Sequence, residues 1–260
     1  MKVLVLGGGG LLGFQLVRTY GWDGVTREEC DITQITDLFR AFKKYSPQVV
    51  INCAGVVPKS PENQNPMQTL LVNGYGPKLI ESVCNKFNIR LIHISTDCVF
   101  DGKDGLYKET TIPKPNTFYG LSKLLGEITT PPHLTIRTSF VGLPDPAGRG
   151  LLHWAANGQD EIVGYDQAIW NGITTLELGN VINKFIHSGL AGLHHISGET
   201  VSKYGLLYMA NIVWGWNKKV IPESTITGRF HKEDRTLLSD SPIKVSKSLF
   251  QMLVELRDNM

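Results

Sequence analysis

The chain is predicted to fold as a doubly wound parallel α/β sheet with a smaller, interleaved C-terminal ligand-binding part. Three observations predict it. An apolar first strand runs into Gly7-x-x-Gly10-x-x-Gly13, the pattern of a tight turn that opens a helix. Short apolar runs then alternate with helical patterns as far as about residue 140. One of these runs brings Ser95, Thr96 and Asp97 to its end, and Tyr119 and Lys123 follow at the spacing of one helical turn.

Residues 2–6 form the first strand, and residues 7–20 turn and become the first helix. Residues 21–27 hold a short, weakly marked second strand. A helix over 34–45 follows Asp31-Ile32-Thr33, with Leu38, Phe39 and Phe42 on its apolar side, and Pro47 stops it. Residues 48–54 are a buried strand and 55–66 a polar, proline-bearing loop. A long helix over 67–87 is expected to distort at Gly74-Tyr75-Gly76-Pro77, because proline has no amide to donate. Residues 90–95 and 134–139 are further strands, and Thr117 is placed to cap the helix of Tyr119. Beyond Val141 the alternation weakens. The expected division is a dinucleotide-binding domain over 1–140, with a returning segment near 165–190, and a smaller, interleaved substrate-binding domain over 141–260.

The 260 residues, 42% of them apolar, suffice for one large α/β domain with an appendage. Basic and acidic residues number 26 and 24, and a net charge of +2 gives no electrostatic case for nucleic acid or an anionic membrane. The apolar start is too short for a secretory signal, and no apolar run approaches a membrane span, so a cytoplasmic location is expected. Cys30, Cys53, Cys84 and Cys98 show neither CxxC nor metal-ligand spacing. They read as reduced thiols, Cys53 and Cys84 in apolar settings, and no metal site is expected.

Glycines between a first strand and a first helix let a pyrophosphate approach the free amides of the helix N-terminus. Arg27, where the second strand should end, favours NADP(H) over NAD(H), and Asp23 is a poorer acidic candidate because it precedes that exit. The hydroxyl, phenol and ammonium of Thr96, Tyr119 and Lys123 suit proton transfer to a carbonyl oxygen. The ammonium, one turn from the phenol, is expected to lower its pKa from about 10.

These segments together resemble the extended short-chain dehydrogenase/reductases, and more narrowly the dTDP-4-dehydrorhamnose reductase family. The resemblance rests on the glycine motif, Asp31-Ile32-Thr33, Asn52-Cys53-Ala54-Gly55, Val72-Asn73, the run from Ser95 to Gly102, Tyr119-Gly-Leu-Ser-Lys123 and Arg137-Thr138-Ser139. Later matches run from Gly192 to Gly198 and over Asp234-Arg235-Thr236-Leu237. It implies a Rossmann-type fold and NAD(P)-dependent reduction of a nucleotide-linked 4-keto-6-deoxy sugar in polysaccharide biosynthesis. By resemblance, Gly7, Gly10, Leu11, Leu12 and Gly13 wrap the pyrophosphate, and Asp31 and Ile32 lie by the adenine. Cys53, Ala54 and Gly55 flank the ribose and nicotinamide. Thr96, Tyr119 and Lys123 are catalytic, with Tyr119 as proton donor and Lys123 also holding the cofactor ribose. Asp97, Cys98 and Phe140 face the sugar.

Gln167, Trp170 and Thr174 lie in a segment resembling the family's substrate-side loop, and Arg149, Lys203, Arg229 and Arg235 are candidate partners of the diphosphate. The related 4,6-dehydratases carry an acidic pair after the threonine. Here Thr96 is followed by Asp97 and then Cys98, which argues against water elimination. Cys98 stands where these reductases usually carry tyrosine, and Phe140 where they carry tryptophan, which leaves the sugar open. Epimerases share the same Tyr/Lys chemistry. A regulatory branch of the family binds nucleotide without catalysis. A homodimer is also left open.

Overall fold

The computed structural model describes residues 1–58, 65–143, 148, 150–224 and 232–260. The first part of the chain alternates as the sequence predicts: β1 (Val3–Leu6), α1 (Leu11–Tyr20), β2 (Asp23–Val25), α2 (Ile35–Tyr45), β3 (Val49–Asn52), α3 (Pro66–Leu70), α4 (Gly76–Phe87), β4 (Arg90–Ile94), α5 (Phe118–Leu125) and β5 (Leu134–Arg137). Then come β6 (Phe140–Val141), α6 (Leu151–Asn157), β7 (Glu161–Tyr165), β8 (Ala168–Trp170), β9 (Ile173–Thr174), α7 (Thr175–Ser188), β10 (Gly192–His195), β11 (Val201–Ser202), α8 (Lys203–Trp214), β12 (Lys219–Glu223), β13 (Glu233–Asp234) and α9 (Leu249–Asp258).

A six-stranded parallel sheet runs β10-β5-β4-β3-β1-β2. Its strands are apolar on both sides because helices cover both sides. On β1, Val3 and Val5 join one core with Leu12 and Leu16 of α1 and Leu178, Val181, Ile182 and Phe185 of α7. Leu4 and Leu6 turn to a second core with Leu38 and Phe42 of α2 and Ile80 and Val83 of α4. Each such buried aliphatic side chain stabilises the fold by roughly 1.5–3 kcal/mol. The chain passes from β1 to β2 on one side and to β3 on the other. The crevice where α/β sheets bind ligands therefore lies between the ends of β1 and β3.

The helix expected over 67–87 is broken where Pro77 requires it. Between α3 and α4 the residues Leu71–Tyr75 form a π-helical turn, and the Gly76 amide donates back to the Leu71 carbonyl. That turn carries Asn73 inward, fully buried. Asn65 caps α3, its side-chain oxygen accepting from the Gln68 amide at 3.2 Å, and Pro66 follows as its first residue.

Beyond β5 the chain leaves the large sheet and returns to it. α7 packs on α1, where the Tyr20 hydroxyl donates to Asn180 Oδ1 at 2.8 Å, and β10 closes the edge beside β5. The remaining strands form small sheets: β11-β8-β13, β12-β7 and β6-β9. No helix among the described residues is long and apolar enough to cross a membrane.

Candidate active site

A groove runs across the ends of β1, β3 and β4. One half, of about 440 Å³, is lined by Gly10, Leu11, Leu12, the run from Cys53 to Pro58, Thr96, Asp97, Cys98, Tyr119, Lys123, Thr138, Ser139 and Phe140 among others. Its other half, of about 360 Å³, is lined by Gly7, Gly9, Gly10, the run from Thr26 to Glu28, Cys30, Asp31, Ile32 and Val72. Gly10 and the residues from Cys53 to Val57 belong to both, so the two halves are one surface.

The glycines make the floor. Gly7 has φ +80°, and a Cβ there would lie 2.7 Å from the Ala54 amide nitrogen. A Cβ on Gly13 would run into the Gly7 carbonyl oxygen, so only glycine lets α1 sit this close to β1. Helix α1 starts after Gly10 with no side-chain cap and no acidic residue in its first turn, which leaves its N-terminal amides facing the groove. A dinucleotide pyrophosphate fits this cradle, since the bare amides and the helix dipole both favour an anion.

At the far end of the groove, Arg27 stands beyond the exit of β2, with Nε 3.8 Å from Asp31 Oδ2 and more than half of its side chain exposed. Asp23 is at the entry of β2, away from this end. The Asp31 carboxylate is tied into its own turn, accepting from the Thr33 amide at 2.9 Å and the Thr33 hydroxyl at 2.7 Å.

The wall between the halves is held by two buried asparagines. Asn52 accepts from the Ala54 amide at 3.1 Å through Oδ1, and its Nδ2 meets His93 Nδ1 at 3.1 Å. Asn73 accepts from the Val56 amide at 2.8 Å and donates to the Val56 carbonyl at 2.9 Å and the Ser122 hydroxyl at 3.0 Å. Together they fix Cys53 to Val56 against α5.

Helix α5 brings Tyr119 and Lys123 to the groove. Thr117 caps it, its hydroxyl accepting from the Gly120 amide at 3.0 Å. Gly120 is required because a Cβ there would strike the Cys98 carbonyl, so α5 lies directly on the turn that follows β4. The Lys123 ammonium donates to the Ile94 carbonyl at 2.7 Å. Burial lowers its pKa from the usual lysine value to about 8, opposed chiefly by the Glu127 carboxylate.

Tyr119 departs from expectation. Its phenol is pushed above its ordinary pKa, first by burial and then by Cys98 and Asp97, with only the Thr96 hydroxyl pulling the other way. The lowering expected from Lys123 does not appear: burial dominates, and the ammonium is drawn to the Ile94 carbonyl. The phenol therefore stays protonated, the form an acid needs.

Thr96 Oγ1 accepts from the Cys98 amide at 3.2 Å and lies 3.1 Å from Asp97 Oδ1, to which it donates. Asp97, almost fully buried, is held above the usual carboxylate range by burial, with Lys203 and Arg235 opposing. Burial also drives the thiols of Cys53 and Cys98 up to about 12, so neither is a thiolate at neutral pH. Cys53 borders the groove, whereas Cys84 is core.

Five residues expected on the substrate side, Trp170, Arg235, Gln167, Thr174 and Lys203, are not among those lining the groove. Trp170 is 2% exposed and donates from Nε1 to Ser139 Oγ at 2.7 Å, so it supports the wall from behind. Arg235 binds Glu233, the Phe100 carbonyl at 2.5 Å and Asn116 Oδ1 at 3.1 Å, and its guanidinium is used in bracing loops. Gln167 accepts the Glu233 amide through its backbone, joining β8 to β13. Thr174 caps α7, accepting from the Glu177 amide at 3.3 Å. Lys203 lies 4.6 Å above the Trp170 ring, beside Asp97, rather than in the open groove. Arg149 and Arg229 lie outside the described residues.

The sequence reading missed Glu127. Its carboxylate accepts from Ser95 Oγ at 2.7 Å and from Arg137 Nε and Nη2 at 2.8 and 2.7 Å. The signal was present, since Glu127 follows Lys123 by four residues.

Residues 1–213 match the family model described as the RmlD substrate binding domain. The chain is 32% identical over 230 residues to the probable low-salt glycan biosynthesis reductase Agl14 of Haloferax volcanii, covering 77% of this chain and 75% of that one. It is 30% identical over 220 residues to the spore coat polysaccharide biosynthesis protein SpsK of Bacillus subtilis, covering 78% and 75%. In fold it is similar to the dTDP-4-dehydrorhamnose reductase of Bacillus anthracis in complex with NADP, with a TM-score of 0.86 at 21% identity over 100% of both chains. It is similar also to the enzyme WbmG of Bordetella bronchiseptica in complex with NAD, with a TM-score of 0.76 at 16% identity over 100% of this chain and 93% of that one. The chain belongs to the dTDP-4-dehydrorhamnose reductase family, a family of NAD(P)-dependent oxidoreductases.

Proposed function

We propose that this protein reduces the 4-keto group of a nucleotide-linked 4-keto-6-deoxy sugar, with NADPH preferred over NADH. The observation that carries this reading is the meeting of Thr96, Tyr119 and Lys123 in a groove continuous with a bare-amide glycine cradle. The names of its relatives, which include a dTDP-4-keto-6-deoxy-D-glucose reductase of Streptomyces niveus at 35% identity over 130 residues, support the substrate class.

When bound, the nicotinamide supplies a hydride. The chain does the rest. The amides of Leu11, Leu12 and Gly13 hold the pyrophosphate, and Arg27 offers a cation for a ribose 2′-phosphate. Cys53, Ala54 and Gly55 flank the ribose and nicotinamide, and Lys123 holds the ribose. As the keto oxygen gains negative charge, Tyr119 donates its proton to it, and its raised pKa keeps that proton available at neutral pH. Thr96 Oγ1 turns from Asp97 to donate a second hydrogen bond to the same oxygen. The Lys123 ammonium stabilises the phenolate left behind. Asp97, Cys98 and Phe140 border the space left for the sugar.

The test is NADPH oxidation followed with a panel of 4-keto-6-deoxy nucleotide sugars. Oxidation with one of them is expected. Tight NADPH binding without oxidation of any would assign the chain to a non-catalytic regulatory role. Interconversion of sugars without net oxidation would make it an epimerase.

A further inference from the structure

A water-excluded ion pair joins the elements that carry the reacting side chains. Arg137, the last residue of β5, donates from Nε and Nη2 to the two oxygens of Glu127 at 2.8 and 2.7 Å, and the two side chains are 4% and 7% exposed. Desolvation offsets much of the attraction in such a pair, so stability alone does not account for it. Its position does. Glu127 also accepts from the Ser95 hydroxyl at 2.7 Å. Ser95 stands between Thr96 and Ile94, whose carbonyl takes the Lys123 ammonium. Glu127 lies four residues after Lys123, just past the end of α5. One carboxylate therefore ties together the ends of β4, α5 and β5.

Arg137 is held in turn. The carbonyls of Tyr107 and Leu238 lie 3.1 and 3.0 Å from His195 Nδ1 and can only accept, so Nδ1 carries the hydrogen. His195 Nε2 then accepts from Arg137 Nη1 at 3.4 Å. Burial holds the imidazole below its ordinary pKa, so this neutral form is the one present at neutral pH.

We propose that Arg137 is a positioning residue: by gripping both oxygens of Glu127, it keeps that carboxylate on Ser95 and off the Lys123 ammonium, which stays on the Ile94 carbonyl. This role rests on the proposed part of Lys123 in the reduction. An ammonium locked in an ion pair could neither hold the ribose nor answer the phenolate of Tyr119. The titratable groups around Lys123 show why Glu127 matters. Tyr119 shares α5, Cys53 follows β3 and His93 lies on β4. Burial keeps the phenol and the thiol protonated and the imidazole neutral. Lys78 of α4 is exposed and donates to the Glu127 backbone carbonyl at 2.5 Å, not to its carboxylate. Among the described residues, Glu127 is thus the negative charge acting on Lys123, and Arg137 of β5 is the cation that occupies it.

The test is an NMR titration of Lys123 in the full chain, read at the Cε carbon of isotope-labelled lysine and assigned by the signal lost in Lys123→Met. The wild-type midpoint is expected near pH 8. Arg137→Met frees Glu127 to pair with the ammonium and should raise the midpoint by about one pH unit or more. Adding Glu127→Gln to that variant should abolish the rise. If Arg137→Met fails to fold, Arg137→Lys should move the midpoint the same way by less, because its ammonium keeps the charge but lacks the fork that spans both oxygens. An unchanged midpoint in the Arg137 variant that folds, or an equal rise with Glu127→Gln present, would overturn the proposal. The titration needs neither cofactor nor substrate. A protein that oxidises NADPH with no sugar would overturn the reductase reading alone, and the midpoints would still decide what Arg137 does.

Discussion

The Lys123 ammonium and the Ile94 carbonyl are joined at 2.7 Å across the groove floor, which ties the helix of Tyr119 to the end of β4. Buried there, Lys123 loses its proton near pH 8, and Glu127 is the main group holding that value up. Below that pH the ammonium is charged; above it the charge proposed to stabilise the phenolate disappears. The kcat/KM profile is therefore expected to fall on an alkaline limb near pH 8. Glu127→Gln removes the supporting negative charge and should move the limb to lower pH. A limb at the same pH in both proteins would separate it from Lys123.

Tyr119→Phe removes the proton and little else. Turnover should fall by roughly 10²–10⁴, the usual worth of a positioned acid, while NADPH affinity stays near that of the parent. Near-normal turnover would refute the acid role.

Gly13→Ala would put a methyl group into the Gly7 carbonyl and force α1 away from β1. Overpacking of this kind costs about 1–3 kcal/mol. Thermal unfolding should show that loss, and calorimetric titration should show weakened NADPH binding, because the amides of α1 move with the helix.

Arg27→Ala should reduce the preference for NADPH over NADH and leave NADH binding little changed. Arg27 is mostly exposed and its pair with Asp31 is long, so stability should change little. An unaltered cofactor ratio would remove Arg27 from the 2′-phosphate.

Arg235→Met should destabilise the fold by about 1–3 kcal/mol in denaturant titration. It strips partners from Glu233, the Phe100 carbonyl and Asn116 in a largely buried setting. A direct diphosphate contact would instead appear mainly as a raised KM.

Much of the first half of the fold was legible because it depends on local rules. The Thr117 cap, the break before Pro77 and the glycine turn each follow from one residue's donors or its missing Cβ. The part beyond Val141 was not legible. There α7 and β10 return to a sheet laid down far earlier in the chain, and α8 is apolar nearly all round, so periodicity marks no single face. Even so, the Ser248–Gln251 capping box of α9 was readable and went unread.

The sequence by itself determined the alternation of strands and helices, the glycine cradle and the pairing of Tyr119 with Lys123, because short-range spacing specifies each of them. Only the tertiary structure decided that burial raises the Tyr119 phenol, that Trp170 packs behind Ser139, and that the Arg235 guanidinium braces Glu233, the Phe100 carbonyl and Asn116. It alone also joined Glu127 to Ser95 and Arg137. Desolvation and long-range pairing depend on what surrounds a side chain, and no spacing along the chain records that.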